Sequence, residues 1–223
     1  MLTRAPLKLP RDPEATRLRI LAAAKTEFAR HGLGGARVDR IALKARSNKR
    51  MLYHYFGNKE ALFRRTLEDA YGQFRAAEAA LNIEHNTPIK AMERLMGFTW
   101  NYYLANPEFI TLVNSENLHK AKHIKSSRMM ETLNKPFVAR MTELLKRGAT
   151  AGDFHDDLDA IQILITVAGL GFHYLNNRHT GAIVYGRDLM SKPALKSRGQ
   201  FNIQAIMRIV CTRQALARWE RSM

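Results

Sequence analysis

Apolar residues recur every three to four positions along most of this chain, and no interval alternates with the period of two that marks a half-buried strand. In EATRLRILAAAKTEFARHG, Leu18, Ile20, Leu21, Ala24 and Phe28 fall at helical spacing, with Gly32 as the stop and Gly34 and Gly35 in a turn. VDRIALKA predicts a short second helix with Val38, Ile41, Ala42 and Ala45 facing inward. After a break at Arg46-Ser47, Asn48 is placed to cap a third helix, NKRMLYHYF, which Gly57-Asn58 ends. Leu52 and Phe56, spaced i and i+4, are its core side. Lys59 starts a long helix to about Leu81.

Further helices are predicted over 88–106, stopped at Asn106-Pro107, and from Glu108 to His119. Another follows Ser126-Ser127 and runs to Thr150 with a kink at Pro136. After a turn at Gly152-Asp153, a helix starting at Asp156 or Asp157 continues through Asn176. Residues 179–199 form the least regular stretch, and Gln200 to Arg218 is the final helix. Ala, Leu, Met, Glu, Lys and Arg, the good helix formers, dominate throughout. The expected class is therefore all-α, with three short helices followed by about six longer ones and a domain boundary inside the helix near Lys59 to Arg75.

LDAIQILITVAGLGFHYL is apolar nearly all round, so it fills a large core or pairs with a second subunit. Gly169 and Gly171 would let helices approach closely, and the final helix, with Phe201, Ile203, Ile206, Ile209, Val210 and Leu216, is its expected companion. A homodimer through these two helices follows. The longest apolar run, Ile163 to Phe172, is shorter than the roughly 20 residues a bilayer span needs. MLTRAPLKLPRDPEAT carries no apolar signal region, and one cysteine, Cys211, excludes an intrachain disulfide and a Cys-based zinc site. The expectation is a cytoplasmic protein.

Charge then changes the picture. Lys plus Arg number 36 against 20 Asp plus Glu, a net +16, of which +9 lies in residues 1–60. Such an excess seeks a polyanion: nucleic acid first, an acidic membrane second. The basic stretch 1–13 reads as a flexible arm, and it lacks the large apolar face that an interfacial helix needs. The density centres on ARSNKRMLYHYFGNKE, too basic for a core and too aromatic for a plain solvated face. Two short helices joined by a tight turn form a helix-turn-helix, whose second helix enters the major groove. Lys49 and Arg50 stand in its first turn, where Arg can bond guanine at two atoms, worth about 1–3 kcal/mol of discrimination. Met51 can pack on a thymine methyl. Tyr53, His54 and Tyr55 can reach phosphates or sugars, and Lys59 begins the next helix where a phosphate is favoured.

The run I-A-x-x-A-x-x-x-x-x-x-L-Y-x-Y-F-x-x-K-E-x-L from Ile41 to Leu62 resembles the helix-turn-helix signature of the tetracycline-repressor (TetR) family of transcriptional regulators. The upstream R-x-x-I-L-x-A-A-x-x-x-F-x-x-x-G, from Arg17 to Gly32, is similar to that family's first helix. The resemblance implies a DNA-binding domain over 14–60, and over 61–223 a helical domain that binds a small ligand and dimerises. It implies base or groove contacts from Lys49, Arg50, Met51 and Tyr55, and phosphate contacts from Arg37, Tyr53, His54 and Lys59. The family commonly has Gly-Val in the turn where this chain has Arg46-Ser47-Asn48, so Arg46 is expected to be strained or to add a phosphate contact. NPEFITLVNSENLH and GFHYLNNRHTGAIVYGRDLM resemble the C-terminal domain of a subgroup that includes repressors of nicotinate and other aromatic-acid catabolism. The function implied is a repressor released from a palindromic operator by a small molecule, with an aromatic acid as the candidate class; the alternative is a sequence-indifferent DNA binder without an effector.

Met92, Leu95, Met96, Thr99, Trp100 and Tyr103 make one stripe, a core pattern that also suits a pocket wall. The ligand candidates are Trp100 and Tyr103 with the polar Asn114, Asn117, His119, His173, Asn177 and Arg178, of which Arg or His suits an anion. Glu116, His119 and His123 share a face that could ligate a metal, but Lys120, Lys122 and Lys125 oppose it, and the reading retained is a polar face with no metal. The carboxylates of GDFHDDLD are expected to cap a helix rather than bind metal. No Gly-rich phosphate loop, G-x-S-x-G or H-E-x-x-H is present, so neither cofactor nor enzymatic activity is expected.

Overall fold

A computed structural model describes residues 12–125 and 127–222. Among the described residues the regular structure is helical, apart from an isolated bridge between Phe154 and Cys211. In order come α1 (Pro13–Gly35), α2 (Val38–Lys44), α3 (Lys49–Phe56), α4 (Lys59–Ala79), a 3-10 turn at Ile83–His85, α5 (Pro88–Ala105) and α6 (Pro107–Leu118). Then follow α7 (Arg128–Thr150), α8 (Ala160–Asn176), α9 (Arg178–Val184), α10 (Lys192–Val210) and α11 (Arg213–Glu220). Residues up to Ala70, with 111–125, form one compact unit; Tyr71–Ile110 and the residues from Ser127 onward form another. The division falls inside α4 and inside α6.

In the first unit, α1 breaks at Gly32, whose φ of 62° only glycine adopts at no steric cost. Ile20, Leu21, Ala24 and Phe28 of α1 are buried with Ile41 and Ala42 of α2, Leu52 of α3 and Leu62, Phe63 and Leu67 of α4. The Phe28 and Phe63 rings meet edge to face at 5.1 Å. Leu18, though at helical spacing with them, is 54% exposed, because it lies roughly a third of a turn from the stripe formed by its neighbours. Val38 and Phe56 are only half-buried. The proposed arm lies mostly outside the described residues; Asp12 already caps α1, accepting the N–H groups of Glu14 and Ala15 at 2.9 and 3.1 Å.

The second unit packs α5, α7, α8, α10 and α11 around Met92, Leu95, Met96, Met141, Leu144, Ile163, Val167, Ile206, Met207 and Trp219. The whole α5 stripe from Met92 to Tyr103 is buried, as a core face would be. Buried Glu78 accepts from Arg75 at 3.1 Å and Arg140 at 3.0 Å, and Arg75 lies 3.5 Å over the Phe137 ring. Burial lowers the Arg75 pKa, and Glu78 offsets part of that effect. Ser127 caps α7 by accepting the Met130 N–H at 3.3 Å; Ser126 lies outside the described residues. Pro136 falls inside α7.

Three boundaries differ from the sequence reading. The cap of α8 is Asp159, which accepts from Ile161 at 2.7 Å and Gln162 at 3.3 Å, rather than Asp156 or Asp157. The chain before it is held out of helix because Phe154 bridges Cys211 and the His155 N–H donates to the Val210 carbonyl at 3.0 Å. The predicted final helix is two helices: Cys211 is extended by that same pairing, and Thr212 starts α11 by accepting the Ala215 N–H at 3.3 Å. Residues 179–199 hold most of α9 and the start of α10, where Ser191 caps and Pro193 occupies the first turn.

Gly171 permits a close approach of α8 to α5, since a Cβ there would stand 3.0 Å from the Tyr103 ring, whereas Gly169 has open space beside it. A tighter case is Gly148 on α7, where a Cβ would lie 2.0 Å from the Phe154 ring. Gly148→Ala should therefore destabilise the protein by at least about 2 kcal/mol, read as a lower denaturation midpoint. Gly97→Ala on α5, with open space around it, should be neutral or stabilising by up to about 1 kcal/mol.

Candidate DNA interface and ligand cavity

The turn between α2 and α3 is closed by two backbone bonds: the Ser47 N–H to the Ala42 carbonyl at 2.9 Å and the Arg46 N–H to the Leu43 carbonyl at 3.1 Å. This pair is the Schellman termination, whose residue after the cap is left-handed and usually glycine. Here that residue is Arg46, with φ of 49°. Its backbone carries the strain expected from the sequence, while its exposed side chain is directed to solvent. Asn48 then caps α3, accepting the Met51 N–H at 2.9 Å, and Asn58 caps α4, accepting from Ala61 at 2.7 Å.

These caps fix which side of α3 faces outward. Lys49, Arg50, Tyr53 and His54 are exposed, Met51 and Tyr55 are half-buried, and Leu52 is buried. Lys49 pairs with Asp39 of α2 at 2.6 Å, both side chains more than half exposed, a contact worth little in water. Arg50 has no partner among the described residues, so its guanidinium is available. His54 and Tyr55 rings meet edge to face at 5.3 Å. Lys59 is tied to the first unit, donating to the Gly34 carbonyl at 3.2 Å. Exposed Arg37 precedes α2 on the same unit.

Sequence reasoning missed the group that seats α2. Glu27 of α1, 8% exposed, accepts the Arg37 N–H at 2.9 Å and Arg40 Nε at 2.7 Å. Burial alone would raise its pKa. The Arg37 N–H and Arg40 outweigh that, helped by the His31 charge, and hold the carboxyl below its reference of 4.5. Only a buried acid at this register would have flagged it, and an acid on a helix is normally read as solvated.

Glu116 and His123 are not the polar face expected of them. Both are buried: Glu116 accepts the His123 N–H at 2.7 Å, the Ile124 N–H at 3.1 Å and His123 Nδ1 at 2.6 Å. The pair clamps the turn after α6, where Lys120 and Ala121 are left-handed with φ of 56° and 58°. His119 bonds the Ser115 carbonyl through Nδ1 at 2.7 Å, and no group of three metal-ligating side chains is assembled among the described residues.

In the second unit α8, α9 and α10 line an open cavity of about 510 Å³. Of the ligand candidates, His173 and Asn177 line it. Trp100 and Tyr103 are instead buried in the α5 core, and burial pushes the Tyr103 pKa up to about 12. Arg178 donates to the Leu175 carbonyl at 2.8 Å and is not on the cavity wall. Asn114, Asn117 and His119 belong to the first unit and are not on its wall. Tyr174, Tyr185, Arg187, Leu189, Arg198 and Phe201 also line the cavity; Tyr185, Arg187, Leu189 and Arg198 were not foreseen because their stretch carried no periodic signal, and Tyr174 and Phe201 were read only as parts of packed helices. Cys211 offers no nucleophile: burial, then Asp153, pushes its thiol up to about 11.

Residues 20–66 match the family model of bacterial regulatory proteins of the tetR family, and residues 88–206 match the tetracyclin repressor-like C-terminal domain. The chain is 37% identical over 181 residues to the HTH-type transcriptional repressor NicS of Pseudomonas putida, covering 81% of this chain and 85% of that relative. It is 33% identical to the HTH-type transcriptional repressor SCO4008 of Streptomyces coelicolor, over 72% of this chain and 78% of the relative. In fold it is similar to SCO4942 from Streptomyces coelicolor, with a TM-score of 0.65 at 26% identity, covering 87% of this chain and 98% of the other.

Two expectations follow for the first unit. Glu27→Gln should cost about 1–3 kcal/mol at pH 7 by removing a charged acceptor. Because the folded pKa is depressed, this stabilisation is present above about pH 4.5 and is lost as pH falls through the lower folded value, so wild type and variant should converge in acid. Arg46→Gly should raise stability by about 1 kcal/mol in denaturant melts, since it removes a left-handed side-chain residue.

Proposed function

The chain belongs to the tetR family of bacterial regulatory proteins, ligand-responsive DNA-binding regulators rather than enzymes, and within it we propose a homodimeric cytoplasmic repressor of a palindromic operator. The observation that carries this reading is the exposed edge of α3. Lys49, Arg50, Tyr53 and His54 project from one short capped helix whose buried Leu52 fixes its rotation. Arg50 is the base-reading residue, with Met51 and Tyr55 beside it in the groove; Lys49 exchanges Asp39 for DNA. Arg37, Arg46, Tyr53, His54 and Lys59 hold phosphates, and Asn48 positions the helix by its cap.

The dimer reading is supported by apolar side chains left in water. Ile161 and Ile165 of α8 are 53% and 60% exposed, and Phe201 and Ile209 of α10 are 51% and 44% exposed. Gly169, exposed and with open space at its Cβ, sits on the same α8 stripe as Ile165. A second copy would bury this face, and the two α3 helices would then read half-sites about a helical turn or a multiple apart. The cavity between α8, α9 and α10 is the effector site. Occupation favours a conformer with a different half-site separation, and about 2.7 kcal/mol of coupling lowers operator affinity a hundredfold.

The test is a pair of substitutions assayed on operator and on random DNA. Arg50→Ala should weaken operator binding by about 1–3 kcal/mol and leave random DNA nearly unchanged. Lys59→Ala should weaken both alike and reduce the salt slope by about 1. Equal effects of Arg50→Ala on the two DNAs would favour a sequence-indifferent binder instead.

A further inference from the structure

Half-buried arginines in this protein find acceptors within the chain, and some of them a carboxylate. Arg75 and Arg140 share Glu78, and Arg147 donates to the backbone carbonyls of Ile83, Glu84 and Asn86. Arg198 of α10 differs. Its Nη2 donates to the Leu170 carbonyl at 3.0 Å, and its guanidinium carbon lies 5.1 Å from the centres of both the Tyr174 and Phe201 rings. Its Nε is buried without a partner, and no carboxylate pairs with it among the described residues. Burial lowers its pKa, and Tyr174 offsets part of that effect. A guanidinium remains charged all the same, so a partly desolvated cation stands without a counter-ion.

It stands on the cavity wall. Among the described residues no carboxylate lines that cavity; the other charged or titratable groups there are Arg187, His173, Tyr174 and Tyr185. Leu189, Ala194 and Phe201 supply apolar surface. The two aromatic rings hold the Arg198 head in place, so its remaining N–H donors are oriented before anything binds. Exposed Arg187 adds positive potential that draws anions inward.

We propose that Arg198 is the counter-charge for a small monoanionic carboxylic acid, bound with its carboxylate on the guanidinium and its apolar body against Leu189, Ala194 and Phe201. A planar carboxylate suits the fork of a guanidinium held between two rings, and the apolar wall beside it suits an organic body. The cavity volume, about 510 Å³, is that of a site for a compact organic acid. This inference rests on the cavity being the effector site.

Calorimetry at pH 7 on the full chain tests it with benzoate, phenylacetate, pyridine-3-carboxylate and 2-naphthoate, each beside its primary amide. At least one acid should bind, its amide at least tenfold more weakly, and Arg198→Gln should weaken that acid at least tenfold. Arg198→Lys keeps the charge without the planar fork and should fall between, which guards against a Gln variant that misfolds. Amides that bind as well as their acids, an unchanged affinity in Arg198→Gln, or no binding by any acid would overturn the proposal. Operator affinity measured alongside separates the two readings. An acid held by Arg198 that leaves operator binding unchanged supports the site and removes the effector role. A neutral compound that releases operator while no acid binds does the reverse.

Discussion

A chain built almost only of helices must find partners for the N–H groups that open each helix and the carbonyls that close it, and every other feature here is arranged around that requirement. In the first unit the partners are Glu27 at the start of α2, the Arg46–Ser47 termination at its end, Asn48 before α3 and Asn58 before α4. Arg19 adds a bond from its Nε to the Ala45 carbonyl at 3.4 Å. Each bond sets an angle as well as satisfying a group. Together they determine that α3 turns Leu52 inward and leaves Lys49, Arg50, Tyr53 and His54 facing outward.

The same economy governs charge. More than half of the net +16 lies in residues 1–60, while buried carboxylates tie helices and turns together. Glu27 ties α1 to α2, Glu116 closes the turn after α6, and Glu78 joins α4 to α7 through Arg75 and Arg140. Each accepts several donors at once, which is how a buried carboxyl group is compensated for lost water. Arg198 inverts this arrangement, a half-buried cation with aromatic neighbours and no acid among the described residues, and it lies on the wall of the cavity rather than in the core.

Periodicity and caps made the first three helices legible, because local signals and tertiary packing agree there. Asn48, Gly57 and the Ile41–Ala42 and Leu52 positions behave as their sequence neighbourhood implies. The all-helical class and the α5 stripe were readable for the same reason. Legibility failed where distant chain decided the outcome. Helical periodicity runs straight through Cys211, and only the bridge to Phe154 interrupts it. The cap of α8 shifted to Asp159 under that same constraint. Glu27, Glu116 and His123 look like ordinary polar helix residues until burial is known. The cavity escaped because it is assembled from three helices, one of them only seven residues long.

The pair between Lys49 and Asp39 gives the recognition helix an internal competitor for its own cation. Asp39 stands on α2 rather than on α3 and is exposed, outside the core. A change of charge at that position would alter how readily Lys49 is given up to DNA while leaving Arg50 and its specificity intact. Drift at a single exposed acid could therefore reset how much of the regulator sits on its operator, giving a lineage a graded control over basal expression that requires no new binding sequence.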